Sequence, residues 1–405
     1  MSSIFSLFNI LAILYIFRTA QLSITIWREW PDLKSEPLTP HKKSLANQAS
    51  FFIAVPIAVF VHEAAHALAV ILAGGEVVEF NYRVFWGYVV PQGNFTDVQM
   101  WIIAIAGTLG SLLVGLLLWL VTRNAQSSSI RYFGLRAVRF QIYFSLIYYP
   151  VFTLLGFDGD WRTIYDFSST PLLSASTAAA HIVILFLFWR FDRQGWFEAP
   201  AFATETGQEK FRQLSAEAAA NPQDIALQLQ VIDTLRRGGA THKAKYQLDQ
   251  LLQQNPDSGL AHLEMAALQS AGKGTVSKDA AENAQEALNL GLSTPGQVAY
   301  AYELIGRYQL ERGKLDEAQS SITDAIDTLE PSGNSSAMIE LLILRSQVYR
   351  RQHNYNAAYQ DLQHALTLAQ RSGNETAKNQ VNGELEILAK HAGHPYLAAP
   401  VEHLE

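Results

Sequence analysis

Long apolar runs separated by short polar segments dominate the first half of the chain. Residues 44–75 carry no charged side chain except Glu63, and residues 98–122 carry none. The hydrocarbon core of a bilayer is about 30 Å thick, and a helix of roughly 20 apolar residues crosses it. Both runs therefore predict membrane-spanning helices, the first of them over about residues 48–73.

Three further runs extend this pattern. Residues 3–27 are uncharged apart from Arg18, the apolar residues 140–157 are interrupted by a proline and a glycine, and residues 167–189 are uncharged. The run of residues 3–27 lacks the basic start and the small-residue cleavage site of a signal peptide. We therefore interpret it as a helix that places Arg18 at a bend or near the membrane surface. The pattern predicts about five transmembrane helices.

Residues 77–90 depart from the helical pattern because they are rich in β-branched and aromatic side chains. The turn sequence Pro91-Gln92-Gly93-Asn94 follows them. This composition is typical of a short β-hairpin, although a loop packed over the helix ends would also account for it. The fold expected of the first half is an all-α membrane domain with one small hairpin.

From about Gly207 onward the apolar positions recur with a helical period. Small residues mark equivalent positions of successive helical pairs at Ala244, Ala280, Ala318 and Ala358. This spacing, and the glycine, alanine and aromatic positions of the third pair, resemble the tetratricopeptide repeat. Helical pairs of this kind bury their apolar faces against their neighbours, so we expect an α-solenoid.

The composition changes from apolar and aromatic to rich in Gln, Ala and Glu near Trp196. We therefore predict a transmembrane domain over residues 1–196, a linker over 197–206, a repeat domain over 207–392 and a tail over 393–405. Lys and Arg are concentrated in the first and third loops and after the last apolar run. Because cytoplasmic loops are enriched in these residues, we expect the repeat domain in the cytoplasm.

The charge and the cysteine content narrow the possible chemistry. The formal net charge is −7 and the chain contains no cysteine. A basic surface for nucleic acid is therefore missing, and any bound metal must be held by histidines and carboxylates.

The motif His62-Glu63-Ala64-Ala65-His66 lies within the run of residues 48–73. Residues four apart share one face of a helix, so the two imidazoles can bind one Zn²⁺ while Glu63 acts as a base toward a water. Polar side chains at bilayer depth are costly unless they have partners and a function. The motif therefore predicts a zinc site, and a pair of helix-packing histidines is the alternative.

A catalytic zinc site with two histidines needs a third protein ligand. Asp158 and Asp160 both follow the interrupted run of residues 140–157, which can return to the motif helix, and either is a candidate. His181, in the last apolar run, is interpreted as a structural or interfacial histidine.

Several of these features together resemble the site-2 protease family of intramembrane zinc metalloproteases. They are the motif within an apolar helix, the β-like segment after it, the small-residue run beginning at Ala106-Gly107, and an aspartate after a broken helix. The resemblance covers about residues 48–189. The chain departs from the family at Thr108, where proline is common, and in the segment before Asp158, which lacks the family's Asn/Pro-rich stretch.

The resemblance offers two matches for the third ligand. The Asp-Gly pair favours Asp158. A branch of the family with a shorter motif favours Asp160, because Ile164 and Pro171 follow at that branch's spacing. We prefer Asp160, since Ile164 and Phe167 then pack on the apolar face of the same short helix.

The resemblance implies hydrolysis of peptide bonds in a membrane-embedded or juxtamembrane protein substrate within the lipid bilayer. It implies that His62, His66 and Asp160 bind Zn²⁺ and that Glu63 is the general base. The repeats would then bind the substrate or an adaptor protein or peptide. The alternative is a membrane-anchored scaffold in which the repeats bind partners and the metal site is structural or vestigial.

Overall fold

The computed structural model describes residues 2–156, 159–272, 274–330 and 335–392, with side chains from residue 12 to residue 391. Asp158 and the predicted tail 393–405 lie outside these residues. The chain divides into two compact units, Met1–Tyr246 and Gln247–Glu405. The regular structure of the described residues is helical apart from one two-stranded sheet.

The helices that begin in the first unit are listed here in chain order. They are α1 (Ser2–Arg28), α2 (Trp30–Lys34), α3 (Pro40–Phe52), α4 (Ala54–Leu72), α5 (Asp97–Thr122), α6 (Ser128–Tyr143), α7 (Tyr149–Leu154), α8 (Asp160–Ile164), α9 (Pro171–Arg193), α10 (Glu205–Ala220), α11 (Ile225–Arg237) and α12 (Thr241–Gln254). A π-helical turn, Phe144–Tyr148, joins α6 to α7.

Three helical segments in the described part of the chain are long and apolar enough to cross a membrane. They are Pro40–Leu72, which comprises α3 and α4, Asp97–Thr122 and Pro171–Arg193. These segments coincide with three of the predicted runs, as expected of a membrane protein. The other two runs form α1 and the π-helical turn with α7. The count of five spans stays a prediction.

Arg18 in the first apolar run has polar partners. Its guanidinium donates to the side-chain oxygen of Gln21 at 2.7 Å and to that of Gln48 on α3. Helix α1 is continuous through this position. Hydrogen bonds to two amide side chains therefore accommodate the charge without a break in the helix, and a position near the membrane surface stays a prediction.

The helix that carries the motif is broken just before it, between α3 and α4. Pro56 has no N–H to donate to the carbonyl of Phe52, four residues earlier. The Thr19 hydroxyl of α1 donates to that carbonyl at 3.0 Å, and the Tyr15 hydroxyl donates to the neighbouring carbonyl of Phe51 at 2.7 Å. Unsatisfied carbonyls are costly in hydrocarbon, so α1 stabilises the break.

The predicted hairpin is confirmed. Strand β1 (Glu76–Tyr82) pairs antiparallel with β2 (Gly87–Gln92), and Tyr82 lies opposite Gly87. The ring of Tyr82 packs on Phe60 of α4 with centroids 5.5 Å apart, and its hydroxyl donates to the carbonyl of Pro56 at 3.0 Å. The hairpin therefore lies along the motif helix.

The small residues of α5 allow that helix to pack closely on α4. A Cβ at Gly110 would lie 3.0 Å from the Cβ of Ala65 and 3.1 Å from the carbonyl oxygen of Val61. Small side chains let helix backbones approach in lipid. Helix α5 therefore lies directly beside the motif.

Polar contacts join the segments that follow α1, α5 and α9. The carboxylate of Glu36 accepts hydrogen bonds from the N–H and the hydroxyl of Ser128, both at 2.8 Å. Arg139 on α6 forms a bidentate ion pair with Asp192 near the end of α9, at 2.6 and 3.0 Å. These segments therefore lie together at one end of the long helices.

The segment predicted as a linker is packed within the first unit. The side chain of Phe197 is buried, and the N–H of Ala201 donates to the carbonyl of Gly238 at 2.9 Å. The ammonium of Lys43 on α3 donates to the same carbonyl at 3.0 Å. These contacts explain why the first unit continues past the linker to Tyr246. The predicted domain boundaries stay a prediction.

The second unit consists of successive helices joined by short turns. They are α13 (Gly259–Ser270), α14 (Lys278–Leu290), α15 (Pro295–Glu311), α16 (Leu315–Leu329), α17 (Ser335–Arg351), α18 (Tyr355–Arg371) and α19 (Glu375–Ala392). Each of them packs against the next one in the chain.

Small residues lie where these helices meet. Ala280, Ala318 and Ala358 have no exposed surface, and a Cβ at Gly306 would lie 2.6 Å from Cγ1 of Ile322. Close approach of paired helices therefore accounts for the recurring small residues. The assignment of these pairs as tetratricopeptide repeats stays a prediction.

Candidate metal centre

Helix α4 places His62 and His66 one turn apart on one face. Their ring centroids are 4.6 Å apart and the ring planes are nearly perpendicular, at 82°. This is the arrangement that the spacing of four residues predicts. Both Nε2 atoms are available on the same side of the helix for a shared partner.

That partner is the carboxylate of Asp160, the first residue of α8. Its Oδ2 atom lies 3.0 Å from Nε2 of His62 and 3.1 Å from Nε2 of His66. One ligand atom from each of the three side chains lies within 4.8 Å of the others. The structure thus brings together the three residues preferred as zinc ligands. Asp158, the alternative, lies outside the described residues.

The Nδ1 atoms of the two histidines have polar partners on α5 that can accept a hydrogen bond. Nδ1 of His66 lies 2.7 Å from the carbonyl oxygen of Ile103, which can only accept. Nδ1 of His62 lies 3.2 Å from the hydroxyl of Ser111, which itself donates to the carbonyl of Ala58 at 3.4 Å. A neutral His66 therefore carries its proton on Nδ1, and the hydroxyl of Ser111 can accept from Nδ1 of His62 in the same way. This tautomer leaves each Nε2 free to bind a metal.

The donor set fits a divalent cation such as Zn²⁺. The two Nε2 atoms lie 3.0 and 3.1 Å from one carboxylate oxygen. When both Nε2 atoms are unprotonated, these acceptors repel one another unless a cation lies among them. Ligand atoms of a tetrahedral zinc ion with bonds of about 2.0–2.1 Å are separated by roughly 3.3 Å. The two nitrogen–oxygen separations, 3.0 and 3.1 Å, are close to this value.

Gly107 on α5 leaves the space beside the two ring nitrogens free. A Cβ at this position would lie 2.6 Å from Nε2 of His62 and would also collide with Nε2 of His66. Any larger residue would therefore occupy the volume in which the lone pairs meet. The small-residue pattern of α5 serves the site as well as the helix packing.

Glu63 lies beside the histidines and beneath the hairpin. Glu63 is only 5 % exposed. A Cβ at Gly87 of β2 would lie 2.6 Å from Cγ of Glu63. No hydrogen bond to its carboxylate is found among the described residues. The hairpin thus approaches this carboxylate without blocking it, because residue 87 has no side chain.

His181 lies apart from the three candidate ligands. Its Nε2 donates to the carbonyl of Leu146 at 2.7 Å, and its Nδ1 accepts from the hydroxyl of Tyr165. Its ring also packs on that of Trp161, with centroids 4.7 Å apart. His181 therefore supports α8, the helix that begins with Asp160, which agrees with its interpretation as structural.

Sequence reasoning missed the residues that hold the three side chains in place. Ser111 lies four residues after Gly107, so a shared helix face was the one available signal for it. The carbonyl of Ile103 and the hydroxyl of Tyr149, which contacts Asp160, have no sequence signal. Their roles depend on how α5 and α7 pack against α4 and α8.

The sequence model of the Peptidase M50B-like family matches residues 45–158 of the chain. This part is a little more than a quarter of the 405 residues, contains His62, Glu63 and His66, and ends two residues before Asp160. No curated protein matches the chain. The similarity supports a metallopeptidase of the site-2 protease type over the part that contains the motif.

Proposed function

We propose that this chain is an intramembrane zinc metalloprotease that hydrolyses peptide bonds of membrane-embedded or juxtamembrane protein segments. The observation that carries the proposal is the convergence of His62, His66 and Asp160 beside the buried carboxylate of Glu63. The similarity of residues 45–158 to a peptidase family supports the reaction class.

Each side chain of the site has a separate task in this reaction. His62 and His66 would hold the zinc ion through Nε2, and Asp160 would hold it through a carboxylate oxygen. When bound, zinc supplies Lewis acidity, which lowers the pKa of a water and polarises a scissile carbonyl. Glu63 takes a proton from that water and returns it to the leaving amine.

The hairpin provides a means of presenting the substrate. A helical segment already uses its carbonyls in internal hydrogen bonds, so a scissile bond must be unwound before attack. An extended peptide can pair with the free edge of a two-stranded sheet. The close approach of Gly87 to Glu63 supports this role, because a strand held against the hairpin would pass near the general base.

The helical pairs of the second unit would bind the substrate or an adaptor, on the cytoplasmic side of a protein with five spans. The packing of the segments after α1, α5 and α9 supports this topology. Those segments carry most of the basic loop residues, and such loops are typically cytoplasmic.

Substitution of the general base tests the proposal. We expect Glu63→Gln to lower hydrolysis by roughly 10²–10⁴-fold and to leave bound zinc unchanged, because the glutamate is not one of the three ligands. The assay uses the purified chain in liposomes with a single-span reporter peptide that contains glycine and proline in its span. Mass spectrometry detects the products, and elemental analysis measures zinc.

Glu209→Gln, the same change on an exposed face of α10, serves as the control and should match the wild type. The scaffold alternative expects full biological function from Glu63→Gln. Undiminished hydrolysis by Glu63→Gln would therefore contradict the protease proposal, whatever the zinc content.

A further inference from the structure

Tyr149, the first residue of α7, makes two hydrogen bonds to Asp160. Its hydroxyl donates to Oδ2 of Asp160 at 2.9 Å and accepts from the backbone N–H of Asp160 at 3.1 Å. Its ring also contacts His62, with centroids 5.7 Å apart. One hydroxyl thus holds both the main chain and the carboxylate of the proposed third ligand.

The direction of these bonds follows from the chemistry of Asp160. Its backbone N–H can only donate, and its ionised carboxylate can only accept, so the hydroxyl of Tyr149 accepts from the first and donates to the second. When the two Nε2 atoms are unprotonated, as metal binding requires, the Tyr149 hydroxyl is the donor close to Oδ2 that remains.

The local backbone brings Tyr149 to this position. Its N–H donates to the carbonyl of Phe144, five residues earlier, at the end of the π-helical turn. A π-turn inserts a residue and rotates the side chains that follow it, and such turns are frequent at functional sites. Without the inserted residue, position 149 would project from a different face of the helix.

The residue before Asp160 makes room for the tyrosine. A Cβ at Gly159 would lie 3.0 Å from Cε2 of Tyr149, 3.1 Å from its hydroxyl and 2.8 Å from Oγ1 of Thr153. The ring of Tyr149 can therefore approach the start of α8 only because residue 159 has no side chain. The π-helical turn and Gly159 together therefore allow the hydroxyl of Tyr149 to reach Asp160.

We infer that Tyr149 is a positioning residue that orients Asp160 as a metal ligand, an inference that rests on the proposed function. Hydrogen-bonding partners of metal ligands fix ligand orientation, and their loss typically lowers metal affinity by 10–100-fold. Tyr149 holds the one ligand that comes from outside the motif helix. Without it, Asp160 would have to be ordered when the metal binds.

The test measures zinc affinity of the full-length protein in detergent by competition with a chelator. We expect Tyr149→Phe, which removes only the hydroxyl, to bind zinc roughly 10–100-fold more weakly than the wild type. Tyr148→Phe is the matched control, because Tyr148 is adjacent in the chain and 49 % exposed, and should stay within about twofold. The visible absorption of the cobalt(II)-loaded protein should change in Tyr149→Phe alone.

Unchanged zinc affinity and cobalt absorption in Tyr149→Phe, together with loss of zinc in Asp160→Ala, would overturn the inference. If Tyr149→Phe does not fold, Tyr149→Met, which also lacks the hydroxyl, replaces it with the same expected loss. A wild type that binds zinc in a Tyr149-dependent manner but cleaves no reporter would contradict the protease function and leave the positioning role intact. A wild type that binds no zinc would overturn both.

Discussion

The two compact units differ in how they bury polar side chains. Among the described residues, fifteen polar or charged residues are buried in the first unit and three in the second. A buried polar group costs free energy unless it is hydrogen-bonded. The first unit provides individual partner atoms for His62, His66 and Asp160.

The second unit is stabilised mainly by the packing of apolar side chains. Its larger core is formed by leucine, isoleucine and alanine side chains such as Leu341, Leu342 and Ala365. Cores of this kind tolerate substitutions that conserve volume. We therefore expect the metal site of the first unit to depend on individual hydrogen-bonding atoms, and the stability of the second unit to depend on the pattern of its apolar positions.

The largest effect is expected from a single methyl group in the first unit. In Gly107→Ala the new Cβ would occupy the space between the Nε2 atoms of His62 and His66. We expect the site to lose most of its metal-binding free energy, which is about 10 kcal/mol or more in structural zinc sites. Elemental analysis of the purified protein should find little zinc, and the reporter peptide should stay uncleaved.

Leu109→Ala is the control for this prediction, because it introduces the same residue on the same helix at a position that is 55 % exposed. It should keep wild-type zinc content. Full zinc occupancy in Gly107→Ala would mean that zinc does not bind between the two histidines.

The sequence was informative where the determining contacts are local. The spacing of His62 and His66 along one helix, the apolar runs and the hairpin composition are all short-range features, and the structure has the corresponding helices and the hairpin. The sequence was silent where contacts join distant segments. Tyr149, Ser111 and the carbonyl of Ile103 act on residues 11, 49 and 37 positions away, and no local pattern records such distances.

The choice between Asp158 and Asp160 shows the same limit. Both aspartates satisfy the spacing, so composition and motif left them open. What brings Asp160 to the rings is the start of α8 and the hydroxyl of Tyr149, and both depend on tertiary packing. The contact of Ala201, in the predicted linker, with Gly238 likewise crosses a long stretch of chain.

A smaller effect is expected from the buried ion pair of the second unit. Arg345 on α17 donates to both carboxylate oxygens of Asp361 on α18 at 2.8 Å. Asp361→Ala leaves the guanidinium partly buried without its anion, which typically costs about 3–5 kcal/mol. Hydrogen exchange should show faster opening of α17 and α18, while zinc content stays at the wild-type value.

This variant also tests the role proposed for the helical pairs. If they bind the substrate, Asp361→Ala should raise the KM for a recruited substrate and leave kcat for the short reporter unchanged. Asp324→Ala, at an exposed position of α16, is the control. Loss of zinc in Asp361→Ala would mean that a substitution in the second unit changes the metal site, which the comparison does not expect.

The smallest effect concerns Glu36, a polar group of the first unit that lies outside the predicted spans. Burial alone would raise the pKa of its carboxyl. Hydrogen bonds from Ser128 and Gln208 and the charge of Arg131 outweigh burial and lower the pKa. A pKa that is lower in the folded state stabilises the fold above the unfolded pKa, and this stabilisation is lost as the pH falls through the folded value.

We therefore expect Glu36→Gln to destabilise the protein by about 1 kcal/mol at pH 7. The difference from the wild type should shrink below about pH 4, where the wild-type carboxyl also becomes protonated. Thermal unfolding in detergent between these pH values measures both effects, and Glu209→Gln on α10 should show neither. A destabilisation of equal size at every pH would mean that the shape of the glutamate matters at this position and its charge does not. Glu36 would then stabilise the fold through packing, as the apolar side chains of the second unit do, and not through its charge.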